Sequence, residues 1–181
     1  MFSNSPEARW LAALVPLAIT VQFALVGLGI MKDEASVQAM SRTGDRREIL
    51  RGPLYYGIMF VLLTILFWKD SPIGIVALMM MCGGDGIADI VGHSIASPKL
   101  AWSSEKSIAG SISVFVGGWI LSAFVLFVFV SVRVFAAPFS QYPLPITLIA
   151  LGCLVVESLP FKDIDNITAT LTAVAIGYFL F

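Results

Sequence analysis

Charge is what this sequence has least of. Only 13% of its 181 residues are Asp, Glu, Lys or Arg, histidine occurs once, and there are two cysteines. Cys82 and Cys153 both lie in apolar runs without metal-type CxxC spacing, which argues against a disulfide framework. They read as core residues. The formal net charge is -1 and no basic run is interleaved with aromatics, which sets nucleic acid aside as a partner. Internal repeats and low-complexity segments are also missing.

What is present is apolar. Hydrophobic residues make up 58% of the chain and the mean hydropathy is +0.91, far from the composition of a soluble domain. A membrane-spanning helix needs about 20 mostly apolar residues. Runs from Trp10 to Ile30, Pro53 to Trp68, Ile73 to about Val91, Ser107 to Val132, Leu144 to Leu159 and Asp165 to Phe181 predict about six such helices. The expected fold is an all-α, multi-pass transmembrane bundle forming one domain over residues 1–181, with the lipid bilayer as its surroundings. The first run reads as a retained helix, because it exceeds a signal core and no small-residue cleavage site stands near Gly29.

The loops carry an orientation signal. Lys32, Arg42, Arg46, Arg47, Arg51, Lys99, Lys106 and Lys162 fall on one predicted face, against Arg9, Lys69 and Arg133 on the other. Positive charge marks the stromal or cytosolic side. Glu157, Asp165 and Asn166 fall on that same face, with Asp85 and Asp89.

The stretch from Cys82 to Ser111, CGGDGIADIVGHSIASPKLAWSSEKSIAGS, concentrates the chemistry. Ionisable residues in an apolar chain are costly, which makes them functional candidates. If the upstream run is helical into Ile90, Asp85 and Asp89 stand four apart on one face, an arrangement suited to a hard divalent cation. Gly83, Gly84 and Gly86 permit the close backbone approach that a phosphate requires. Lys106 is placed to hold phosphate oxygens, aided by the helix start at Ser107, Gly110 and Ser111. Glu157, Asp165 and Asn166 would complete a metal shell or position an alcohol. Against these stand plainer roles: Lys106 snorkelling, Glu157 capping the turn at Pro160, Asp165 and Asn166 capping the last helix. His93 reads as interfacial rather than as a base.

In order and spacing, GGDGIADIVG, SSEKSIAGSIS, VESLP and DNITATLTA resemble the phytol and farnesol kinases of plants and cyanobacteria, within the polyprenol kinase family. GDRREILRGPLYYG and FWKDSPIGIVALMMMCGGDG are similar to the plant-type branch. The resemblance covers the chain from about Gly44 onward. It implies phosphorylation of an isoprenoid alcohol such as phytol or farnesol, with CTP as donor, Mg2+ as cofactor and a chloroplast membrane as the location. Asp85, Asp89, Lys106, Ser107, Glu157, Asp165 and Asn166 fall on the family's polar motif positions. The pattern departs after Gly92, where His93, Ser94, Ile95 and Ala96 replace the family's basic residues and glycine. The family's additional N-terminal helix, and the transit peptide of organellar members, are expected to be missing from these 181 residues. Rival readings are a lipid-phosphate cytidylyltransferase, a small transporter using the intramembrane acids, and a catalytically dead structural subunit.

Overall fold

The computed structural model describes residues 5, 7–160 and 164–181. It is helical almost throughout, and the chain clusters into two compact units, Met1–Trp68 and Lys69–Phe181. Among the described residues, five stretches are long and apolar enough to cross a membrane: Ala8–Leu28, Arg46–Phe67, Pro72–Gly92, Ile108–Ser131 and Phe139–Glu157.

The first unit holds α1 (Ala8–Leu28), α2 (Glu34–Met40), a short 3-10 turn (Arg46–Leu50) and α3 (Gly52–Phe67). Helix α1 ends in left-handed Gly29, at φ 79°, whose N–H bonds back to the last turn. Gly57 of α3 lets Thr20 of α1 sit directly against its backbone, and Leu50 packs in the same way on Gly27. Helix α2 breaks up what the sequence suggested was only a charged loop. Asp33 caps it, accepting hydrogen bonds from the Ser36 amide at 3.1 Å and hydroxyl at 2.6 Å. Those bonds hold the Asp33 carboxyl below its usual pKa.

The second unit begins with α4 (Pro72–Met79), runs without a break through a π-helical turn (Met80–Asp85), and continues as α5 (Gly86–Ser94). Two short antiparallel strands, β1 (Lys99–Leu100) and β2 (Ser103–Ser107), form a hairpin. Then come α6 (Ile108–Ser131), α7 (Pro143–Glu157) and α8 (Asp165–Leu180). The helical runs therefore start and stop within a few residues of their predicted bounds. Helix α8 is 16 residues long, so its axis measures about 24 Å, short of a hydrocarbon core of about 30 Å.

Glycine sets the packing of this unit. A Cβ on Gly117 would meet the Gly83 carbonyl at 2.5 Å, and one on Gly118 would meet the Met80 sulfur at 2.6 Å. Helix α6 and the π turn thus touch backbone to backbone, as small residues allow between membrane helices. Behind them Val76, Ala77, Leu126, Ile146, Ile149, Ala150 and Cys153 are completely buried. Helices α6 and α7 are also joined by a hydrogen bond from the Trp119 indole to Thr147 Oγ1, at 2.9 Å.

Candidate functional site

Three separate segments of the second unit deliver their charged residues to one point. The Lys106 ammonium, on β2, donates to Glu157 Oε1 at the end of α7 and to Asp165 Oδ2 at the start of α8, the latter at 2.9 Å. Both acids lie at helix ends separated by the short 158–164 connection, so the lysine ties the two helices together. All three side chains are mostly covered, with exposures of 16, 12 and 27% in that order. Burial alone would lower the pKa of Lys106. The hydrogen bonds and charges of Glu157, and then of Asp165, outweigh that cost and leave its pKa above the ordinary lysine value.

Asp85 closes the π turn, and its charge is felt at Glu157. Lys106 thus faces two carboxylates, and a third, Asp85, stands near enough for its charge to bear on one of them. Asp89 lies on α5 one helical turn further on, but its side chain, like that of His93, is outside the described residues. Asn166 is the half-covered second residue of α8. Among the described residues no group of three His, Cys, Asp or Glu is set to hold a metal ion. A magnesium ion that bridges phosphates asks for less, since one or two carboxylates suffice alongside water and substrate oxygens. The all-oxygen donors here fit that requirement.

Several expected phosphate contacts are arranged differently. The first amides of α6 are taken within the chain: Ile108 N–H donates to the Pro98 carbonyl at 3.0 Å, Ala109 N–H to Ser97 Oγ at 3.1 Å, and Gly110 N–H to Ser107 Oγ at 3.1 Å. Ser107 acts as the helix cap, so this N-terminus is closed rather than open to an anion. Ser111 is buried, and its hydroxyl has no hydrogen-bond partner among the described residues. Gly84 faces Val114 of α6 and Gly110 lies against the Ala88 carbonyl, both helix-packing positions. Gly86 alone of these glycines has open space where a Cβ would point. Asp165 does not cap α8; Ile164 precedes the helix, and the aspartate bonds to Lys106 instead.

Two features had no counterpart in the sequence reading. The π turn places one extra residue in the helix just before Asp85, a distortion that recurs at functional sites. The hairpin carries Trp102, whose indole N–H donates to the Ser158 carbonyl at 2.8 Å, beside Glu157. A lone aromatic in a polar loop was the only available signal for it.

Comparison with known proteins places this arrangement in context. The chain is 45% identical to "Probable phytol kinase 1, chloroplastic" of Oryza sativa subsp. japonica, over 100% of its own length and 58% of that protein. It is 37% identical to "Phytol kinase 1, chloroplastic" and 39% identical to "Farnesol kinase, chloroplastic", both of Arabidopsis thaliana. Those alignments again take in 100% of the chain, and 60 and 59% of the relatives. The chain spans about three fifths of the length of these curated relatives. The similarity starts well before Gly44, where the motifs first made it visible. No family model and no solved structure matches the chain.

Proposed function

We propose, for a chain homologous along its whole length to the plant phytol and farnesol kinases, that it is a lipid kinase of chloroplast membranes. It transfers the terminal phosphate of a nucleotide, CTP by the family resemblance, to the hydroxyl of phytol or a related isoprenoid alcohol such as farnesol. The alcohol oxygen forms a bond to the terminal phosphorus, the bond to the bridging oxygen breaks, and the hydroxyl proton leaves to a carboxylate or water. The products are a lipid monophosphate and a nucleoside diphosphate. The observation that carries this reading is the convergence of Lys106, Glu157 and Asp165 from three segments, with Asp85 close by, at the ends of the helices.

Each residue then has a task. Asp85 and Asp89 would hold magnesium, with Asp165 and Asn166 beside them, and the ion would supply charge neutralisation on the phosphates. Lys106 is held ready by two carboxylates. When a triphosphate enters, its oxygens compete for the ammonium, and Glu157 and Asp165 become free to accept a proton or orient the alcohol. The site lies on the positively biased face, stromal or cytosolic, where a water-soluble nucleotide can reach a lipid whose tail stays between helices.

The test is an incubation of membranes containing the chain with phytol or farnesol, magnesium and terminally labelled CTP or ATP. Label should appear in extracted lipid monophosphate and vanish in Asp89→Asn. Turnover unchanged in Asp89→Asn would sink the metal assignment, and release of pyrophosphate instead of CDP would mean a cytidylyltransferase.

A further inference from the structure

A kinase site must hold the nucleotide's base as well as its phosphates, and none of the acids or lysines above does that. Among the described residues of the second unit, most aromatic side chains lie away from the charged end. Phe124, Phe127 and Phe129 lie in the distal half of α6, Tyr142 precedes α7, and Tyr178 ends α8. Even Phe115 and Trp119 are two or more helical turns inside α6. Trp102 is the exception among the described residues.

The residue is 60% exposed, yet the indole N–H is fixed on the Ser158 carbonyl at 2.8 Å. A fixed edge with an open face is what a stacking partner needs, because little ring freedom remains to be lost on binding. Trp102 sits in the turn of the hairpin and Lys106 on β2, four residues further along the chain. Their partners, Ser158 and Glu157, are adjacent in the chain.

We infer that Trp102 is the stacking surface for the base of the donor nucleotide, with Lys106 on the same hairpin receiving its phosphates. This rests on the kinase reading. It adds a specificity: an aromatic face accepts any base, so Trp102 supplies affinity for the nucleoside part, and base choice must come from groups at the ring's edge.

Binding separates this proposal from the kinase reading itself. The full chain, purified in detergent, is tested for binding of labelled CTP and ATP, with inorganic triphosphate as a base-free competitor. Trp102→Leu should weaken nucleotide binding roughly tenfold or more while leaving triphosphate competition unchanged, and Trp102→Phe should retain most of the affinity. Equal losses in Trp102→Phe and Trp102→Leu, or equal weakening of triphosphate, would mean that the residue only pins the hairpin through its N–H. Unchanged nucleotide affinity in Trp102→Leu would make it a membrane-interface anchor and overturn the inference alone. Absence of nucleotide binding in the wild type would overturn the kinase reading as well.

Discussion

Lys106 holds two carboxylates with one positive charge, and that imbalance has consequences for stability. Removing the ammonium leaves Glu157 and Asp165 largely covered and facing each other. Lys106→Met should therefore cost about 2 kcal/mol, less than a fully buried pair because water still reaches the group. In a thermal melt in detergent the midpoint should fall by several degrees, and adding Glu157→Gln should restore part of the loss. An unchanged midpoint would show that the ion pair contributes nothing. The pH dependence has a definite sign. Because the folded pKa of Lys106 is raised, its contribution is complete below the unfolded value, about pH 10.4, and disappears as the pH climbs through the folded one. The gap between wild type and Lys106→Met should thus close in strong alkali, as Lys106 loses its proton.

At the scale of elements, glycines of similar appearance do different work. Gly117 is a contact point between α6 and the π turn, where a methyl group would meet a carbonyl. Gly117→Ala should destabilise the fold by about 1–3 kcal/mol, as overpacking does, seen as a lower melting midpoint. Gly86 has space, so Gly86→Ala should leave the midpoint unchanged or slightly higher. If Gly86 gives a phosphate its approach to the backbone, that variant will lose turnover at full stability, whereas retained turnover would reduce Gly86 to a helix residue. Composition could not distinguish the two. Long apolar runs bounded by prolines and polar residues made α1, α3, α6 and α7 readable, because length and hydropathy are local properties. The π turn was hidden, since a change from i→i+4 to i→i+5 bonding leaves no mark in residue type. The hairpin was hidden as well: KL and SSEKS lack the alternation that announces a strand, and the partners of its Trp102 and Lys106 side chains, Ser158 and Glu157, come more than fifty residues later. For the same reason the role of Lys106 as the clasp between α7 and α8 was not legible.

For the whole molecule, the sidedness of the second unit follows from α6. Its 24 residues extend about 36 Å, enough to cross the hydrocarbon and emerge on both sides. The hairpin before it and Arg133 after it must then face opposite aqueous spaces. Lys99 and Lys106 lie at one end, and the positive-inside bias predicts that this end faces the stromal or cytosolic side. Single cysteines introduced at Lys99 and at Arg133, in a background with Cys82 and Cys153 replaced by serine or alanine, report on this directly. In sealed vesicles of known orientation, an impermeant maleimide should label one position from outside and the other only after permeabilisation. Labelling of both from the same side would remove α6 as a spanning helix. The outcome also constrains chemistry, because CTP and ATP do not cross a bilayer unaided. Protection of Lys99 on the side that lacks nucleotides would leave the carboxylate cluster without a phosphate donor, whatever its geometry.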